Sequence, residues 1–216
     1  NKNVKELKAD ESKAYKDLFS APENNQLISP NNLLSGPNIS QEVIEKAQIG
    51  QQLSAVSEEL LQDFPFLRNK VNAIFKAKKM PLPFEVNDGV LSLTRPLDLE
   101  TVEIMRRTLA EKVNKGFKSG DGTLATATKE RELEFRTLID NFSEPLKQTR
   151  DNWRDIMKTK EIFDSGKKVL SMAPEELEEL VAGLDDKGLA ALRTGFASAL
   201  KVKSGQNARQ SLINTL

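Results

Sequence analysis

The chain has 216 residues, with 32 basic and 32 acidic side chains, no histidine and no cysteine. The missing cysteines exclude disulfides, thiolate nucleophiles and thiolate metal sites, and the missing histidines exclude Ser-His-Asp, two-His-one-carboxylate and HExxH chemistry. Balanced charge disfavours a broad electrostatic grip on nucleic acid, and no stretch reaches the ~18 apolar residues of a membrane-spanning helix. The start, Asn1-Lys2-Asn3-Val4, lacks both an initiator Met and the apolar run of a signal peptide, so we read the chain as a piece of a longer protein.

In chain order, residues 3–19 pattern as an amphipathic helix with Val4, Leu7, Tyr15, Leu18 and Phe19 on its apolar side. Residues 20–40 carry Pro22, Pro30, Pro37 and Gly36 and read as loop. One helical turn is expected inside it, with Ser29 as cap, Pro30 at the first position and Leu27, Ile28, Leu33 and Leu34 packed inward. Ser40 then caps a helix from Gln41 to Asp63, with Gly50 as a weak point. Phe64-Pro65-Phe66 breaks it, and a second piece runs from Leu67 to Lys78. After Met80-Pro81-Leu82-Pro83, the run 84–93 predicts a β-hairpin, because Asp88-Gly89 between β-prone residues supplies the positive φ of a two-residue turn.

The second half patterns as helices throughout. Asp98 caps one that runs to about Phe117, with Val102, Met105, Leu109, Val113 and Phe117 as its stripe. Residues 118–123 read as a flexible glycine-containing link. The next helix, Leu124 to Phe142, repeats at 124, 128, 131, 135, 138 and 142. Ser143-Glu144-Pro145 has the cap, acidic first turn and N-terminal proline of a helix start. That helix carries Leu146, Trp153, Ile156, Met157 and Phe163 towards Leu170, with a break expected near Ser165-Gly166. Ala173-Pro174-Glu175-Glu176 opens a short helix that stops at Gly183. Asp185-Asp186 caps the last one, with Leu189, Leu192, Phe196 and Leu200 on one face and Gly205 as its expected end. Alternating stripes with short links predict an all-α, antiparallel multi-helix bundle with one small hairpin. We divide it into an N-terminal helical region (1–80), a hairpin and connector (81–97) and a C-terminal bundle (98–216).

Each chemical candidate has a plainer reading. Glu175, Glu176, Glu178 and Glu179 complement a helix macrodipole and have no marked carboxylate partner group, which argues against paired-acid catalysis. Lys76, Lys78 and Lys79, with Arg68, Lys70 and Phe75 nearby, form the best basic patch and the candidate nucleic-acid contact; cations are also favoured at a helix end. Arg106-Arg107 and Lys201/Lys203 are weaker basic pairs. The run from Gly116 to Gly122 fails as a phosphate loop, because it follows a helix and no Lys-Ser or Lys-Thr follows its last glycine. Trp153, the sole tryptophan, is a core residue by default and a partner anchor if it is exposed. No residue set implies a catalytic group, a metal or a cofactor.

Several segments together resemble a known pattern. They are Glu11-Ser12-Lys13-Ala14-Tyr15, Ser35-Gly36-Pro37-Asn38-Ile39, Asn87-Asp88-Gly89-Val90 with Arg95-Pro96-Leu97-Asp98, and Met105-Arg106-Arg107-Thr108-Leu109. The stretch Phe142 to Trp153 keeps the Arg150/Trp153 spacing of that pattern but has Leu146 for its Tyr and Thr149 for its Ala. Gly166-Lys167-Lys168-Val169-Leu170, Pro174-Glu175-Glu176-Leu177 and the run from Arg193 to Leu200 complete the series. In order and spacing they are similar to the helical module of tailed-phage and prophage internal virion (DNA-ejection) proteins. The resemblance covers nearly the whole chain. It implies a non-enzymatic structural component stored in the capsid or portal region and delivered to the host envelope with the genome. Its partners would be portal, tail or other ejection proteins, or further copies in a homo-oligomer, with at most weak DNA contact. The rivals are the non-catalytic helical arm of a phage lytic transglycosylase, and a scaffolding or regulatory helical binding module.

Overall fold

The computed structural model describes residues 4–22, 24–25 and 40–215, with side chains described for 6–22, 24–25, 40–123 and 125–205. The turn expected around Ser29–Leu34 lies outside the described residues. The fold is all-α with a single hairpin among them: α1 (Val4–Ser20), α2 (Gln41–Asp63), α3 (Pro65–Ala77), β1 (Phe84–Asn87), β2 (Val90–Leu93), α4 (Leu99–Ser119), α5 (Gly122–Phe142), α6 (Glu144–Lys168), α7 (Pro174–Ala182) and α8 (Asp186–Thr215), with a 3-10 turn at Val169–Ser171.

The helix starts are set by local chemistry. Ser40 Oγ accepts from Val43 N–H at 3.3 Å, Asp98 Oδ1 from Thr101 N–H at 2.8 Å, Ser143 Oγ from Leu146 N–H at 3.4 Å, and Asp185 Oδ1 from Gly188 N–H at 2.8 Å. Each satisfies an amide with no partner in its own helix, and such a cap is worth ~1 kcal/mol. The break between α2 and α3 is a single residue. Phe64 ends one helix and Pro65 opens the next, since Pro has no N–H to lose at a first position.

Two compact units emerge, Asn1–Thr149 and Arg150–Leu216. They do not follow the divisions at 80 and 98 expected from sequence. In the first unit α2 packs on α5 and α3 on α4, so helices from both sides of the hairpin share one core. That core is made of Leu53, Leu60 and Leu61 of α2, Leu67, Val71 and Phe75 of α3, Leu91 of β2, Val102, Met105 and Leu109 of α4, and Phe135, Ile139 and Phe142 of α5. A fully buried Leu or Phe contributes roughly 1.5–3 kcal/mol.

The hairpin pairs Phe84 with Leu93 and Asn87 with Val90, around Asp88 (φ 51°) and Gly89 (φ 83°). A lone two-stranded ribbon is marginal in water. Here α2 holds it. Gln62 Oε1 accepts from Leu91 N–H at 2.7 Å, Gln62 Nε2 donates to Gly89 O at 3.1 Å, and Glu58 Oε2 accepts from Leu93 N–H at 2.8 Å. The β2 amides that face away from β1 are thus bonded by helix side chains.

Three expectations at glycines are corrected. The 118–123 link is not an open flexible stretch: α4 runs to Ser119 and α5 begins at Gly122. Gly120 (φ 82°) closes α4 with a tight cap, in which Gly120 N–H meets Phe117 O at 3.4 Å and Asp121 N–H meets Gly116 O at 3.0 Å. Helix α6 is not broken at Ser165-Gly166, and α8 does not end at Gly205 but continues through it.

The reason at Gly166 is packing in the second unit. A Cβ on Gly166 would lie 2.2 Å from Leu192 O, and one on Gly195 would lie 2.0 Å from Phe163 O. The two glycines face each other where α6 crosses α8, and each lets the other helix's backbone approach. Glycine is there for the absence of a side chain, and its helix propensity cost of ~1 kcal/mol is offset by that contact.

Candidate functional site

The candidate basic patch sits at the end of α3. Lys79 adopts φ 54°, a left-handed conformation usually given to glycine. Its N–H meets Lys76 O at 3.1 Å while Met80 N–H meets Phe75 O at 2.9 Å, the paired bonds of a helix stop. Lys76, Lys78 and Lys79 are all on the solvent side of this turn, but they are not equivalent. Lys78 Nζ lies 3.1 Å from Asp98 Oδ2 and 2.8 Å from Glu100 Oε2. Burial works against its charge, yet the bonds to Glu100 and Asp98 outweigh burial and raise its pKa. Partial burial likewise acts to raise the Asp98 pKa, and the bonds from Thr101 and Lys78 overcome it and hold the carboxyl below its usual value. Lys78 therefore ties the end of α3 to the start of α4, and the patch reduces to Lys76 and Lys79.

The Arg106-Arg107 pair is not a surface patch. Arg106 is nearly buried and bonds Glu103 Oε1 at 2.8 Å and Glu132 Oε1 at 2.7 Å, joining α4 to α5. Burial would lower its pKa, but the two carboxylates raise it, so the guanidinium stays charged. Arg107 points the other way, with its guanidinium 4.8 Å from the Tyr15 ring centre and 3.4 Å from Glu11 Oε1. One dipeptide thus pins α5 and α1 to α4. Sequence reasoning missed Glu103 and Glu132 because charged residues are read as solvent-facing. The true α5 core face runs Ala125, Thr128, Glu132, Phe135, Ile139 and Phe142, and Glu132 falls in step with it. The expected repeat through 131 and 138 follows the edge of that face, and Phe117, expected on the α4 stripe, is 49% exposed.

Trp153 is half-buried on α6, neither fully in a core nor free on the surface. Glu175, Glu176, Glu178 and Glu179 are all exposed on α7. Among the described residues no three metal-ligating side chains converge. A groove of about 530 Å³ in the first unit is lined by Phe64, Phe66, Lys112, Lys115, Ser119 and Thr128. Lys112 Nζ sits 5.1 Å from the Phe66 ring centre, so this cation is already engaged by an aromatic face. The arrangement offers packing and ion pairing.

No protein family, curated protein or solved structure matches the chain. Among the described residues no helix is long and apolar enough to cross a membrane.

Proposed function

We propose that this chain is a helical assembly module of a tailed-phage virion, of the internal kind that leaves the capsid with the genome and helps it across the host envelope. The observation that carries the reading is the ordered series of segments resembling such modules, spread over nearly the whole sequence. What supports it physically is the work those segments do. Asp88-Gly89 turns the hairpin, Asp98 caps α4, Arg106 and Arg107 bind neighbouring helices, and Gly166 and Gly195 form a helix crossing. The residues of the series hold helices together, as suits a protein whose function is packing on other proteins. In this reading DNA contact is confined to Lys76 and Lys79. Two phosphate contacts give a log–log salt slope of about −2 for duplex binding.

The test is mass spectrometry of purified virions from a phage or prophage that encodes this sequence. The peptide should be found in intact particles and lost from those that have ejected their DNA. Absence from intact particles would sink the proposal.

A further inference from the structure

The second unit is strongly segregated in charge although the whole chain is neutral. From Val169 to Asp186 there are six acidic residues, Glu175, Glu176, Glu178, Glu179, Asp185 and Asp186, and no basic one. From Lys187 to Leu216 there are five basic residues, Lys187, Arg193, Lys201, Lys203 and Arg209, and no acidic one. An acidic helix is therefore followed directly by a basic one. Ion pairs in this unit include Arg154 with Asp151, and Lys160 and Lys167 with Asp164, within α6. Among the described residues none links an α7 carboxylate to an α8 cation.

The same two helices carry uncovered apolar surface. Leu177, Leu180 and Val181 share one face of α7, the first two half-buried and Val181 39% exposed. On α8 every residue from Leu200 to Gly205 is exposed, including Leu200 at 43% and Val202 at 58%. Among the described residues of this unit the apolar side chains that are buried are Phe163 and Leu192. Two buried apolar side chains make a small core, and the 200–205 stretch of α8, exposed on every side, is not covered by it.

We propose that a second copy of this chain covers these surfaces, with the acidic, leucine-faced α7 of one copy packed on the basic 200–205 stretch of α8 in the other, and the reverse. Charge complementarity selects this occupant. The chain itself carries a block of opposite sign to each surface, close in sequence: four carboxylates on α7, and Lys201 and Lys203 on the exposed stretch of α8. Both members lie on one unit, so a two-fold arrangement satisfies both contacts at once. A nucleic acid would meet only the basic half and leave the acidic, apolar α7 uncovered. The association stands independently of any place in a virion.

The experiment is sedimentation equilibrium of the full chain over a range of concentration and salt, on the wild type, Lys201→Glu/Lys203→Glu and Glu178→Lys/Glu179→Lys. The positions are exposed, and circular dichroism checks that helicity is kept. The wild type should self-associate and do so less in high salt. Each charge reversal should weaken association by at least about tenfold, and an equimolar mixture of the two variants should regain it. A wild type that stays monomeric at every concentration overturns the proposal, as does association that neither reversal changes or that mixing fails to restore. A monomeric wild type that binds a short DNA duplex, with binding lost in Lys201→Glu/Lys203→Glu, would overturn it in favour of nucleic acid.

Discussion

Lys79 and Gly120 occupy the same kind of position, the left-handed residue that closes a helix, with different side chains. A Cβ in that conformation costs roughly 1 kcal/mol or more. Lys79→Gly should therefore stabilise the protein by ~1 kcal/mol and Gly120→Ala should destabilise it by about as much, read as opposite shifts in urea midpoint. Asp98 gives a pH test. Its folded pKa lies below its unfolded value, so its contribution is fully present above the unfolded pKa and is lost as pH falls through the folded one. Lys78 has the opposite sense, with a contribution present below its unfolded pKa and lost as pH rises through the raised folded value. Asp98→Asn should flatten the acid limb of the pH–stability curve, and Lys78→Met the alkaline limb. The caps themselves were legible: Ser40, Asp98, Ser143 and Asp185 all precede helical patterns. The left-handed Lys79 was not, because nothing in its residue type marks it.

Between helices, the Glu103–Arg106–Glu132 cluster and the Gly166–Gly195 crossing carry opposite lessons. Removing one partner from a buried ion network leaves charge with no compensation, which costs ~3–5 kcal/mol. Arg106→Met should fall in that range, and Arg106→Lys should recover only part of it, since an ammonium cannot span both carboxylates as the guanidinium fork does. At the crossing the problem is space. Gly166→Ala or Gly195→Ala places a methyl against a backbone carbonyl oxygen and should cost ~1–3 kcal/mol or more. The hairpin was readable to the residue, because Asp-Gly dictates its own turn and register. The core face of α5 was shifted, because its pattern includes a charge that only tertiary structure explains. Gly166 read as a break because sequence shows the missing side chain and not the neighbouring α8 backbone that requires it.

The two compact units make a larger expectation measurable. Trp153, the sole tryptophan, lies in the second unit. Its fluorescence should therefore follow the unfolding of that unit while helicity follows both. In urea, Gly166→Ala should move the fluorescence transition to lower denaturant and leave a helicity transition near the wild-type midpoint. Arg106→Met should do the reverse. Coincident shifts in both variants would mean that the chain unfolds as one cooperative body. The all-α class and the hairpin's place were visible from periodicity. The unit boundary was not, because it falls between Thr149 and Arg150 inside the continuous helix α6, with no proline or glycine at that point to mark it.

The clasp between Arg107 and Glu11 joins residues 96 positions apart. During synthesis at ~5–20 residues per second, α1 must wait roughly 5–20 s for the helix that holds it. Helix α2 waits similarly for α5. Until then the apolar faces of both are open to any other chain, including another nascent copy. The first unit therefore closes late, when α4 and α5 arrive, and a truncation before α5 leaves α2 without the helix it packs on and Arg106 without Glu132.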